Sequence, residues 1–199
     1  GQGRVIRRLA LVGLGLLGGS VAKAARADGL ADEIVAVGRD RARLEPALRD
    51  GVVDRVSTCL EEGVAGADFC LLATPVATLT ALLPVVWHAL PGDAVLTDVG
   101  STKGFIVETA EGLARTRPLA FVGSHPMAGS EQSGYRVARP DLFRGATVVL
   151  TPTERTDSQA VKRVGGFWES LGGRLVTLDP QTHDRATAAI SHLPHLVAD

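Results

Sequence analysis

A chain that reads Gly13-Leu14-Gly15-Leu16-Leu17-Gly18 directly after the apolar run Leu9-Ala10-Leu11-Val12 has little freedom in how it begins to fold. The run is a strand, the glycines make a turn, and Leu17, Val21 and Ala24 recur behind them at helical spacing. In that order, backbone N–H groups and the positive end of a helix converge on a point that no Cβ obstructs, which suits a pyrophosphate. Gly-x-Gly-x-x-Gly alone is weak and gains weight only inside a β-α-β unit. That unit is present. Glu33-Ile34-Val35-Ala36-Val37-Gly38 is a second short apolar strand, and Asp40 stands past its end, 22 residues beyond Gly18. A carboxylate there accepts both hydroxyls of a ribose. Asp40 also precedes a helix expected over Arg41 to Arg49, so it reads equally as an N-cap, and one carboxylate can do both.

The N-terminus has a competing reading. Arg4, Arg7 and Arg8 precede an apolar stretch that ends in Ala22-Lys23-Ala24, which resembles an export signal with its cleavage site. Cutting there would destroy the first strand and turn of a pattern that continues downstream, so the expected location is the cytoplasm. With 199 residues, 45% hydrophobic and 22% charged, the chain can bury a full core. A net charge of -1 provides no basic field for a nucleic acid. No apolar run of about 18 residues escapes interruption by glycine or charge, which argues against a membrane span. Cys59 and Cys70 lack Cys-x-x-Cys spacing and read as buried thiols.

Strands and helices alternate along the rest of the chain. Phe69 to Ala73 is a strand, and Thr74-Pro75 opens a helix toward Leu90. Ala94 to Asp98 is a strand, followed by Gly100-Ser101-Thr102-Lys103-Gly104 and a helix to Leu113. Leu119 to Gly123, Thr147 to Leu150 and Arg174 to Leu178 are further strands, with a helix from Asp157 to Leu171. Ser124 to Gly145 has no clear periodicity and reads as a long functional loop. The expected class is α/β, a Rossmann-type doubly wound and mainly parallel sheet over residues 1–178. Asp179-Pro180 opens one more helix, whose Ala186, Ala189, Ile190, Leu193, Leu196 and Val197 are still apolar where the chain stops. Residues 179–199 are therefore expected to begin a C-terminal helical domain, or to pack on a partner.

In such a sheet, ligands bind outside the carboxyl ends of the strands, where Thr74, Asp98, Ser101, Lys103, Ser124 and His125 fall. His125 precedes Pro126, which keeps it extended. A neutral imidazole beside a nicotinamide can take the proton of a hydroxyl whose carbon gives up a hydride. Ser101 can reach the same oxygen or the cofactor, or serve as a helix N-cap. Lys103 reads either as the neutraliser of an anionic substrate or as a solvated lysine, and the solvated reading is preferred. The expected cofactor contacts are Gly13, Gly15, Leu16, Leu17, Gly18, Asp40, Thr74, Pro75 and Ser101. His192 and His195, three apart, suggest zinc, but a site needs three or four ligands and His88 and His183 show no matching partners, so no metal is expected. Ser20-x-x-Lys23 imitates a serine acyltransferase motif without its companions and reads as coincidence.

At these residues the chain resembles the prephenate and arogenate dehydrogenases of tyrosine biosynthesis. Besides the glycine turn it carries Ala73-Thr74-Pro75-Val76, Thr97-Asp98-Val99-Gly100-Ser101-Thr102-Lys103, Ser124-His125-Pro126-Met127-Ala128-Gly129-Ser130-Glu131 and Ser191-His192-Leu193-Pro194-His195. The resemblance implies oxidative decarboxylation of a cyclohexadienol, with His125 as the catalytic histidine and Ser101 assisting. It places Ser130 and Glu131 near the entrance, and Ser191, His192 and His195 around the substrate side chain. It also implies a C-terminal helical domain that supplies an arginine for the ring carboxylate and most of a homodimer contact. Asp40 favours NAD, while Arg39 and Arg41 leave NADP open. Two rivals stand beside this reading: another hydroxyacid or imine dehydrogenase on the same fold, and a non-catalytic dinucleotide-sensing module.

Overall fold

The structure, a computed structural model, describes residues 5–129 and 131–197, with side chains as far as Ile190. Strands β1 (Ile6–Val12), β2 (Ala31–Val37), β3 (Arg55–Ser57), β4 (Phe69–Leu72), β5 (Val95–Asp98) and β6 (Ala120–Val122) form one parallel sheet. Their order is β3-β2-β1-β4-β5-β6, so the winding reverses between β1 and β4. That reversal opens a crevice at the strands' carboxyl ends.

Alternation along the strands explains why they read as unbroken apolar runs. Leu9, Leu11, Ile34, Phe69 and Leu71 face one side, with α1 (Leu16–Asp28), α2 (Arg41–Arg49) and α6 (Ser158–Ser170). Ala10, Val12, Val35, Cys70, Leu72 and Leu96 face the other, with α4 (Val76–Ala89) and α5 (Gly104–Ala114). Both faces are covered, so both phases of the pleat must be hydrophobic. Cys70 is buried as expected, and burial pushes its thiol upward; Cys59 is only partly buried.

Beyond β6 the structure departs from a single sheet. Ser124–Pro126 is a strand, β7, pairing antiparallel with β8 (Thr147–Leu150), which pairs parallel with β9 (Arg174–Thr177). The step between the sheets is made at Gly123, where a Cβ would stand 2.5 Å from Thr151 Oγ1. Its carbonyl accepts the Thr151 N–H at 2.9 Å. The expected loop thus begins with a strand, and it also holds a 3₁₀ turn at Tyr135–Val137. β3 and α3 (Leu60–Val64) were not legible because they are too short to show a period.

The last helix, α7 (Pro180–Val197), starts where Asp179-Pro180 predicts and runs on through Pro194. Its first turn docks on the N-terminus of α5 rather than standing apart: Asp184 accepts the N–H of Lys103 at 2.7 Å and of Gly104 at 2.8 Å. Among the described residues, no helix is long and apolar enough to cross a membrane.

Candidate active site

The glycine turn is built from short-range constraints. Gly13 has φ +97°, and a Cβ there would lie 2.8 Å from the Ala73 carbonyl oxygen. A side chain at Gly18 would reach within 2.2 Å of the Gly13 oxygen, so the helix can sit this close to the turn only with glycine. A Cβ on Gly15 would meet nothing within 4 Å, which leaves that side open to a ligand. Leu16 and Leu17 open α1, whose first turn carries neither a side-chain cap nor an acidic residue. Its N–H groups and positive end therefore face the open side without a competing carboxylate.

Thr74 stands beside this turn, its Cγ2 3.1 Å from a Cβ built on Gly13, and its Oγ1 is buried without a hydrogen-bond partner. Such an orphan costs about 1–3 kcal/mol, an expense that a bound acceptor or donor removes. Pro75 precedes α4 as its N-cap residue. A phosphate-sized opening, an unopposed helix end and an unpaired hydroxyl together fit a dinucleotide. Asp40 caps α2, accepting the Ala42 N–H at 3.0 Å, and remains exposed. Of its flanking arginines, Arg41 turns to Glu45 at 2.8 Å while Arg39 is exposed.

From the turn, contacts run along the sheet's rim to His125. A Cβ on Gly100 would touch Val76 Cγ2 at 3.3 Å and Asp98 Oδ2 at 2.9 Å. Asp98, fully buried at the end of β5, accepts the Gly100 N–H at 3.0 Å and the Ser124 N–H at 3.2 Å. Its countercharge is Lys103, 2.5 Å away and itself fully buried. The solvated reading of Lys103 is therefore wrong. A carboxylate sealed at a strand end needs a cation, and the chain turns back at Gly100 to supply one. Burial pulls the Lys103 ammonium downward, and Asp98 opposes this.

Ser101 is exposed on that turn, and it does not cap a helix: α5 begins at Gly104, with Lys103 as N-cap residue and no cap from its own side chain. The caps come from Asp184, about 80 residues away.

His125 sits in β7 between buried Ser124 and buried Pro126, so the pleat turns its ring to the opposite side. A strand aims the imidazole more firmly than the expected loop would. Its Nδ1 lies 2.8 Å from Nε2 of His183, whose side chain is 2% exposed, and His183 Nδ1 lies 2.8 Å from Asp184 Oδ1. The rings meet edge to face, 82° apart.

Proton positions follow from donor arithmetic. Burial raises the Asp184 carboxyl, but the N–H groups of Gly104, His183 and Lys103 outweigh it and hold the group ionised. A carboxylate only accepts, so His183 carries its proton on Nδ1. Where His183 Nε2 accepts, His125 donates from Nδ1. That leaves the His125 Nε2 lone pair exposed as a base. Burial, then the neighbouring His183 and Lys103, push His125 down to about 4, so it is neutral at physiological pH.

His183 and Asp184 were missed from the sequence, although a His-Asp pair one turn into a helix opened by Asp-Pro was the available signal. Glu131 is exposed. Ser130 and the side chains of Ser191, His192 and His195 lie outside the described residues. Among the described residues no group of three or more His, Cys, Asp or Glu could hold a metal ion. A cavity of about 680 Å³ beside β6, between α5 and α6, is lined by neither the glycine turn nor His125.

A family model described as prephenate dehydrogenase, nucleotide-binding domain, matches residues 21–177. The prephenate dehydrogenase of Bacillus subtilis is 37% identical over 189 residues, covering 94% of this chain and 51% of that protein. The chain thus spans about half the length of this curated relative. Among solved structures, prephenate dehydrogenase from A. aeolicus in complex with hydroxyphenyl propionate and NAD+ superposes with a TM-score of 0.89 at 34% identity, over 99% of this chain and 68% of that one. Synechocystis arogenate dehydrogenase superposes with a TM-score of 0.86 at 35% identity, over 94% of this chain and 65% of that one.

Proposed function

The chain belongs to the prephenate dehydrogenase family, whose nucleotide-binding domain it carries, and from that premise we propose that it serves the NAD-dependent oxidative decarboxylation of prephenate, arogenate or both in tyrosine biosynthesis. The observation that carries this reading is the His125–His183–Asp184 chain, which fixes the His125 imidazole at the carboxyl rim of the sheet. Bound there, NAD+ supplies a hydride acceptor for the ring's carbinol carbon.

The protein's own groups do the rest. The turn at Gly13, Gly15, Leu16, Leu17 and Gly18 holds the pyrophosphate, Asp40 the ribose, and Thr74, Pro75 and Ser101 the nicotinamide half. His125 Nε2 accepts the proton of the ring hydroxyl, with Ser101 hydrogen-bonded to the same oxygen. His183 and Asp184 hold the imidazole in the tautomer that can accept it. As the carbinol becomes a carbonyl, the ring carboxylate leaves as carbon dioxide, and the electron pair of the broken bond enters the ring. Aromatisation makes the step effectively irreversible. Ser130 and Glu131 stand at the entrance, and Ser191, His192 and His195 contact the substrate around its side chain.

Residues 1–178 act as the cofactor domain, and α7 begins a helical domain through which the protein forms a homodimer in the cytoplasm. Asp40 makes NAD the preferred coenzyme, because a 2′-phosphate would meet its charge. An absorbance assay on the native protein, offering prephenate and arogenate each with NAD+ and NADP+, tests reaction, substrate and coenzyme together. Reduction of neither coenzyme with either substrate would reject the reading.

A further inference from the structure

The segment after β7, which carries Glu131, buries Leu142 and Phe143 in the core at its far end. Nearer Glu131 it is fastened to helices α1 and α2 around Tyr135. Tyr135 is buried in the 3₁₀ turn, and its hydroxyl donates to Asp50 Oδ2 at 2.7 Å, where α2 ends. A Cβ on Gly19 would come within 2.9 Å of Ala138 Cβ and 3.1 Å of Tyr135 Cδ2, so the turn lies directly on α1 because that position is glycine. Lys23 Nζ stands 4.6 Å from the Tyr135 ring centre and donates to the Ala138 carbonyl at 2.7 Å. The fully buried Ser20 hydroxyl accepts the Arg139 N–H at 3.0 Å. Ser20-x-x-Lys23, which as a catalytic motif is coincidence, thus supplies two posts of a clasp on one face of α1.

We propose that Tyr135 is a positioning residue: together with Asp50, Ser20 and Lys23 it clasps the segment behind His125 onto α1 and α2, and so sets where Glu131 stands at the entrance to the site. This rests on the dehydrogenase reading of the site. The geometry separates two effects. Asp50 ends α2 and Asp40 opens it, so loosening the clasp at the Tyr135–Asp50 bond moves Glu131 and leaves the ribose contact in place. Burial and the Asp50 carboxylate push the phenol upward, so it stays a donor throughout the working pH range.

The test compares native protein with Tyr135→Phe, Asp50→Ala and Asp50→Asn. Steady-state kinetics, NAD+ binding by fluorescence titration and hydrogen exchange at the amides of 131–134 are measured on each. Tyr135→Phe and Asp50→Ala should raise KM for the ring substrate about fivefold, the scale of one hydrogen bond, with kcat and the NAD+ Kd within about twofold. Exchange at 131–134 should quicken in both. Asp50→Asn keeps a carbonyl acceptor and should restore most of the KM. Unchanged KM and exchange in Tyr135→Phe, or NAD+ affinity falling in step with KM, would overturn the proposal. If native protein turns over neither prephenate nor arogenate, the dehydrogenase reading fails instead, and exchange at 131–134 alone decides whether the clasp exists.

Discussion

The two halves of the site are made in different ways. The phosphate turn of the cofactor half is assembled from neighbours in sequence: Gly13 to Gly18 form turn and helix start in one pass, and Ala73 and Thr74, just past the adjacent strand, close against it. The chemical half is assembled across distance. His125 and His183 are 58 residues apart, and Asp184 reaches back about 80 residues to cap α5. Local backbone sterics therefore decide the first, and the docking of α7 decides the second. Loss of that docking should spare cofactor binding and remove the base's orientation.

The sharpest break in this comparison is His125→Ala, which should lower turnover about 10²- to 10⁴-fold while the NAD+ Kd stays nearly constant. Rapid-quench measurement of the chemical step checks it, and unchanged turnover would remove His125 from the mechanism. Next comes Asp184→Asn. Oδ1 serves both His183 Nδ1 and the Lys103 N–H while Oδ2 serves the Gly104 N–H, so an amide that donates to His183 reverses that bond and gives up one cap of α5, and turnover should fall about 10²-fold. Calorimetry showing a native melting transition beside the lost activity would separate orientation from unfolding.

Gly15→Ala is the mirror image. The added Cβ meets no protein atom, so the fold should be unaffected. It enters the space left for the pyrophosphate, and the NAD+ Kd should rise about tenfold with little change in kcat, as titration calorimetry would record.

The smallest effect is on stability against pH. Folding pushes His125 from 6.5 down to about 4. Between those values the unfolded chain binds the proton and the folded chain does not, so this contribution is complete above pH 6.5 and is lost as pH falls toward 4. Urea titrations of native protein and His125→Gln at pH 4.5 and 7.5 should show a smaller acid loss in the variant. Equal losses would mean the imidazole is not held neutral.

Much of this could be read in advance. The glycine turn, the doubly wound sheet, the helix over Arg41–Arg49 and the helix opened by Asp179-Pro180 follow from local periodicity and capping. The place of His125 just past the carboxyl end of β6 was legible because the strand before it is an apolar run. Lys103 was misread because a lysine looks solvated unless the buried carboxylate beneath it is known. Ser101 failed as a cap because Asp184 already occupies that role from another helix. β7 was read as loop because three residues ending in proline carry no period, and only pairing with β8 makes them a strand.

By itself the sequence determined the cofactor half of this protein, since a glycine at φ +97° beside a neighbouring strand is a constraint that six adjacent residues can express. Only the tertiary structure decided that His125 meets His183. That depends on where the first turn of α7 comes to rest, and a hydrogen bond between residues far apart leaves no mark in the spacing of either.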